Sequence, residues 1–161
     1  MARIEIPPGE GGDAAMVWSM RPEMAPAVGK LIDAVYRKSI LPTRERELAR
    51  ARIAQLNSCD ACGNFRAPSV RAESISEALY DAVADFRLDE RFTAREKLAI
   101  EYAERFATDH GNIDDAFFAT LRAAFSDEEI VDLTLCLGIF VGLGRFLAVL
   151  GIDEADPTYE V

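Results

Sequence analysis

Cys59 and Cys62 stand three residues apart in Asn57-Ser58-Cys59-Asp60-Ala61-Cys62, in a chain with one further cysteine, Cys136, and one histidine, His110. Two thiols at that spacing can cycle between dithiol and disulfide. Placing Ser58 as the N-cap of a helix makes Cys59 its first residue and Cys62 its fourth, where backbone N–H groups and the helix dipole favour a thiolate. Zinc would need further Cys or His ligands, and the chain offers only Cys136, in an apolar segment, and His110. We therefore expect no metal and no cofactor. Redox chemistry leads, and the plain alternative is a pair of small buried residues. Cys136 itself reads as a core residue, and His110, in Asp109-His110-Gly111-Asn112, as part of a helix-ending turn.

Two charged residues stand near the pair in sequence. Glu47 shares a helical stripe with Ala51 and Ala54, whose small side chains leave room for another helix to approach the carboxylate. Glu47 precedes Cys59 by 12 residues, so a continuous helix would hold them roughly 18 Å apart. They can cooperate only if the chain reverses near Asn57-Ser58. Arg66 follows Cys62 by four residues, which on one helix puts both on the same face. A guanidinium stays protonated at neutral pH, so Arg66 cannot act as a base. It can hold a thiolate by charge or pair with Glu47.

The elements that must position these groups read as helices throughout, an all-α fold. Residues 1–25 carry Pro7, Pro8, Gly9, Gly11, Gly12 and Pro22 and form an irregular arm, which Trp18, Met16 and Met20 can dock. Val28, Leu31, Ile32 and Val35 recur at helical spacing, and a second helix spans Thr43 to Asn57. Pro68 ends or kinks the cysteine segment. Ser74-Ile75-Ser76-Glu77 and Thr93-Ala94-Arg95-Glu96 are capping-box patterns, for helices over Ala78 to Phe86 and Leu98 to Phe106. A short helix over Asp114 to Phe125 follows, and Ser126-Asp127-Glu128-Glu129 caps the last. Its stretch Ile130 to Leu150 approaches the length of a membrane span, but Asp132 and Arg145 interrupt it. We expect a helix buried on nearly all sides, in the core or at a subunit interface, and Gly138 and Gly142 would admit a neighbouring helix. The domain proper spans residues 26–153, with a tail at 154–161.

Composition limits the partners. A length of 161 residues suits one domain. A net charge of -10 argues against a nucleic-acid surface. Arg44, Arg46, Arg50 and Arg52, interleaved with Glu45 and Glu47, read as a solvated or ion-paired helix face. The N-terminus lacks the apolar core of a signal peptide, and three cysteines do not make a stapled secreted scaffold. The expected location is the cytoplasm, with no membrane association.

Glu47, Leu48, Arg52, Ala54, Gln55, Leu56, Asn57, Cys59 and Cys62 resemble the pattern of the carboxymuconolactone decarboxylase and alkylhydroperoxidase D-like proteins. That pattern is a Glu, an Arg-x-Ala-Gln-Leu-Asn-like helix, then C-x-x-C-x-x-x-H. Glu128 to Thr134, Gly144-Arg145-Phe146 and Leu150-Gly151-Ile152 also resemble the family. The resemblance implies a multi-helix alkylhydroperoxidase D-like domain that assembles as a trimer or hexamer. It further implies reduction of a hydroperoxide substrate, with Cys62 attacking, Cys59 resolving the sulfenic acid as a disulfide, and Glu47 relaying protons. The reductant would be a thioredoxin-like or lipoyl-bearing protein. Arg66 stands where the pattern has His, so activation by charge replaces the imidazole in this reading. Two alternatives remain: a non-catalytic helical oligomer with a redox-sensing or vestigial pair, and a decarboxylase-like acid–base enzyme.

Overall fold

The computed structural model describes residues 2–73 and 75–153. Nine α-helices in chain order are α1 Gly12–Ser19, α2 Ala25–Arg37, α3 Thr43–Leu56, α4 Asp60–Asn64, α5 Pro68–Ala72, α6 Glu77–Ala82, α7 Ala94–Thr108, α8 Asp115–Ala124 and α9 Asp127–Leu150. Two 3-10 turns, Val83–Asp85 and His110–Asn112, complete the described residues, among which there is no strand.

α3 is the axis of the fold, although it is one of its most charged segments. Its Leu48, Ala49, Ala51, Ile53 and Ala54 are buried, and so are Glu45, Arg46, Glu47 and Arg50. One face joins Ala49 and Ile53 to Ala99, Tyr102, Leu133 and Leu137 of α7 and α9. The other joins Leu48 and Ala51 to Val70, Leu79, Val83, Phe86 and Ile100. A helix packed on both faces buries charge at least cost in pairs. Glu45 accordingly takes Arg95 at 2.8 Å and Glu47 takes Arg50 at 2.6 Å. The ion-paired half of the expectation for the arginine cluster holds for Arg44, Arg50 and Arg52, while Arg46 and Arg50 are not solvated: they are 2% and 4% exposed. Arg46 lies over the Tyr36 ring at 5.4 Å.

The helix ends follow local chemistry. Thr93 and Ser126 each cap through their hydroxyl while Glu96 and Glu129 reach back, so both capping boxes form. At α6, Ser76 holds the N-cap position without a side-chain bond and the helix gives way to a 3-10 turn at Val83; Ser74 lies outside the described residues, as does the 154–161 tail. The N-terminal arm is less irregular than its prolines imply, since α1 lies within it. Val17 is buried, Trp18 stacks on Phe146 with ring centres 4.4 Å apart, and the Arg3 N–H donates to the Leu150 carbonyl at 2.8 Å.

Within the single chain α9 is not buried on nearly all sides, so the core half of its expectation fails. By length and composition it could cross a membrane, and here Ile130, Leu133 and Leu137 face the core. Its opposite face is open in the single chain: Val131, Leu135 and Val149 are 60%, 62% and 62% exposed. A Cβ placed on Gly138 or Gly142 would meet nothing within 4 Å.

Candidate active site

The chain does reverse where Glu47 and the cysteines need it to. α3 ends at Leu56, Asn57 caps it, and Ser58 adopts a left-handed φ of 50° that turns the backbone into α4. Ser58 is thus the hinge of the turn, and Cys59 itself is the N-cap, its Sγ accepting the Cys62 N–H at 3.2 Å. The two cysteines are joined as a disulfide with Cα atoms 5.3 Å apart. They differ in exposure: Cys59 is 3% exposed, whereas Cys62 is half-buried and lines a cavity of about 370 Å³.

Asn57 and Gly144 fix this turn against α9. The Asn57 amide donates to the carbonyls of Phe140 and Val141, both at 3.4 Å, and accepts from Arg145 Nε at 3.1 Å. Arg145 in turn donates to the Ala107 carbonyl at 2.7 Å. A Cβ on Gly144 would come within 2.6 Å of Asn57 Nδ2 and 3.5 Å of Cys62 Sγ. Only glycine leaves the cysteine turn this close to α9.

Glu47 lies beneath the turn and does not touch either sulfur. Arg50 grips both of its oxygens, Nε to Oε2 at 2.8 Å and Nη2 to Oε1 at 2.6 Å, and the Tyr80 hydroxyl donates to Oε1 at 3.0 Å. Two further Arg50 N–H groups donate to the carbonyls of Cys62 and, at 3.2 Å, Phe65. Burial works against the Arg50 charge, yet the Glu47 carboxylate outweighs it and keeps the guanidinium above its ordinary value. Tyr80 is pushed up by burial and then by the Glu47 charge, so its phenol stays a donor. Sequence reasoning missed Arg50 and Tyr80. The i, i+3 spacing of Glu47 and Arg50 on one helix was the legible signal for the first.

Arg66 is not where the sequence suggested. α4 stops at Asn64, so Arg66 shares no helix face with Cys62. It does not pair with Glu47, whose oxygens are taken. Instead Arg66 bonds Glu77 at 2.7 Å, the carbonyls of Gly63 and Phe65 at 2.5 and 2.8 Å, and stacks 3.6 Å from the Tyr80 ring centre. Its links to Glu47 are indirect, through the Tyr80 ring and through the Phe65 carbonyl that it shares with Arg50. His110 is exposed in its 3-10 turn and does not line the cavity. Cys136 is buried, with its thiol 3.5 Å from Asp132 Oδ1, and burial pushes it up to about 12. Among the described residues no group of three His, Cys, Asp or Glu side chains is arranged to hold a metal.

This arrangement, a dithiol turn on the end of a charged central helix, agrees with sequence comparison. The profile of the carboxymuconolactone decarboxylase family matches residues 22–105, just over half of the chain. The chain belongs to the carboxymuconolactone decarboxylase family. A relative in Escherichia coli K12, the uncharacterized protein YnjA, is 33% identical over 116 residues. That match takes in 72% of this chain and 64% of YnjA, so the chain spans less than two thirds of that relative's length. ATU0492 of Agrobacterium tumefaciens, a protein of unknown function and an AhpD antioxidant-defence candidate, superposes with a TM-score of 0.78 at 25% identity. The match covers 96% of this chain and 98% of that one. An uncharacterized peroxidase-related protein from Silicibacter sp. TM1040 shares the fold at 20% identity, with a TM-score of 0.76 over 86% of this chain and 74% of that one. The all-α, AhpD-like architecture of this family member is therefore established.

Proposed function

We propose that this protein is a cytoplasmic thiol peroxidase that reduces hydroperoxides through the Cys59–Cys62 dithiol. The Cys62 thiolate attacks the terminal oxygen of ROOH, the O–O bond breaks, and the alkoxide takes a proton to leave as ROH. Cys62 is then a sulfenic acid. Cys59 attacks its sulfur, expelling hydroxide that leaves as water, and the disulfide forms. A dithiol protein of the thioredoxin-like or lipoyl-bearing kind returns two electrons and two protons, becoming a disulfide itself. One observation carries this assignment of roles: Cys62 lines the cavity while its partner Cys59 lies buried behind it. Arg66 takes no part in the chemistry, and Glu47 acts on Cys62 through Arg50. The open face of α9 supplies the contact for a trimer or hexamer.

The test is peroxide-dependent oxidation of the reduced protein, followed by turnover with dithiothreitol. Cys62→Ser should consume no peroxide, and Cys59→Ser should stop at one sulfenic acid per chain, trapped by dimedone. Wild-type protein that forms no disulfide with stoichiometric peroxide would overturn the assignment and leave a structural or sensing pair.

A further inference from the structure

Breaking an O–O bond leaves an alkoxide, and a positioned group must give that oxygen a proton if the step is to be fast. The surroundings of Cys62 leave few candidates. Arg50 takes both oxygens of Glu47, and the Tyr80 hydroxyl is spent on one of them. Arg50 keeps its proton at neutral pH, and so does the indole N–H of Trp18. His110 lies outside the cavity, and the histidine of the family pattern is Arg66, which bonds Glu77 and two carbonyls. Among the described residues that line the cavity, Tyr36 alone carries an O–H.

Tyr36 is held but not used. Its ring meets Phe65 edge-on with centres 5.7 Å apart, lies 6.2 Å from the Phe140 ring, and has the Arg46 guanidinium 5.4 Å from its centre. Its hydroxyl makes no hydrogen bond among the described residues, whereas Tyr80 donates to Glu47 and Tyr102 pairs with Thr134 at 2.8 Å. Arg46 is a second, independent oddity. It is 2% exposed, its Nε and Nη2 have no hydrogen-bond partner, and it makes no ion pair among the described residues. A buried guanidinium without a counter-charge is costly. Its charge acts on Tyr36 and on Cys136, and of these two only Tyr36 lines the cavity. Burial, the strongest influence, keeps the Tyr36 proton on; Arg50 and Arg46 favour its release, and Glu47 and Cys136 oppose it. The phenol is therefore a donor at rest, and a phenolate formed during turnover has two guanidinium charges beside it. We propose that Tyr36 is the general acid of peroxide reduction, giving its hydroxyl proton to the departing alkoxide oxygen, and that Arg46 is a positioning residue that holds the Tyr36 ring and stabilises the phenolate. The proposal rests on the peroxidase reading. The Cys62 sulfur takes the terminal OH as a sulfenic acid, and the other oxygen leaves as ROH with the Tyr36 proton. The phenolate then recovers a proton from water, balancing the one that Cys62 released in becoming a thiolate.

The leaving group separates this role from a structural one. The alkoxide expelled from tert-butyl hydroperoxide needs a proton, whereas the acetate expelled from peracetic acid does not. Reduced protein is mixed with each oxidant, quenched in acid and titrated for free thiol. Tyr36→Phe keeps the ring and its packing. It should be slowed about a hundredfold with tert-butyl hydroperoxide yet stay within about threefold of wild type with peracetic acid. Arg46→Met should show the same oxidant dependence at about tenfold, and Arg46→Lys, which keeps the charge, should retain most of the rate. Iodoacetamide, whose iodide leaves without a proton, should alkylate Cys62 in Tyr36→Phe at the wild-type rate. Equal slowing with both oxidants would make Tyr36 a packing residue and overturn the proposal. So would a Tyr36→Phe protein as fast as wild type with tert-butyl hydroperoxide. In both cases the wild-type reaction leaves the peroxidase reading standing. Wild-type protein that reacts with neither oxidant would instead sink that reading, and this step with it.

Discussion

Arg50 reaches from the central helix to the carbonyl oxygen of Cys62 while both oxygens of Glu47 hold Arg50 in place. The carboxylate that the sequence marks as a relay is thus fixed as the anchor of a buried ion pair. Its influence on Cys62 passes through a guanidinium and a peptide carbonyl, so it shapes the turn before it can move a proton.

Removing the anchor should therefore unfold the site before it alters the chemistry. Glu47→Gln leaves the Arg50 charge buried without a counter-charge, and breaking a buried pair from one side costs about 3–5 kcal/mol. Urea denaturation should show a loss at the lower end of that range, because the amide oxygen can still accept one bond. A loss below about 1 kcal/mol would mean that the Cys62 turn does not depend on this pair.

Gly144→Ala tests the closeness of the cysteine turn to α9. Alanine gains about 1 kcal/mol of helix propensity over glycine. Against this, its Cβ would sit 2.6 Å from Asn57 Nδ2, whose bonds to two α9 carbonyls and to Arg145 limit retreat. Overpacking of this kind costs about 1–3 kcal/mol, so the net change should be destabilising, by about 1 kcal/mol. Oxidation of the dithiol by peroxide should slow as the turn is displaced. A more stable, fully active Gly144→Ala protein would show that Asn57 moves aside freely.

The helices were legible from periodicity and caps because those signals are local. Thr93 and Ser126 act within four residues, and the structure places both where the pattern does. What sequence could not supply was the ownership of charges between elements. Arg50 and Arg66 were both candidate partners for Glu47, and the fold gives it to Arg50, which is 4% exposed. Cys59 displaced Ser58 as the N-cap for a similar reason: Ser58 takes the left-handed turn next to Asn57, which is docked on α9 by contacts distant in sequence. The cavity was illegible because its walls come from α1, α2, α3, α4 and α9 together, and α1 lies in an arm dominated by Pro and Gly.

Arg66 stands at the position of the pattern's histidine, yet its bonds go to Glu77 and to the carbonyls of Gly63 and Phe65. Arg66→Ala should leave the pH dependence of Cys62 alkylation in reduced protein unchanged to within about 0.3 pH units. It should instead cost about 1 kcal/mol of stability, through the lost stacking on Tyr80 and a weak ion pair with the exposed Glu77. A rise of one unit or more in the Cys62 thiol pKa would restore Arg66 to the site as an electrostatic activator.

Cys136 supplies a pH-dependent part of stability that is separate from the dithiol. Burial, and after it the Asp132 carboxylate, raise its thiol from 9.0 to about 12 in the folded protein. The folded state therefore keeps a proton that the unfolded chain releases above pH 9. Its stabilising contribution is complete below that pH and is lost as pH rises toward 12, at about 1.4 kcal/mol per pH unit. Tyr36 and Tyr80, both raised by burial, add alkaline slopes of the same sign, so the comparison must be with Cys136→Ala, which keeps them. Between pH 9 and 10.5 the urea-derived stability of wild type should fall more steeply than that of Cys136→Ala by about that amount per unit. Parallel profiles would mean that Cys136 ionises in the folded protein as readily as in the unfolded chain. In that case alkylation at pH 9 would label three thiols of the reduced protein instead of the two expected.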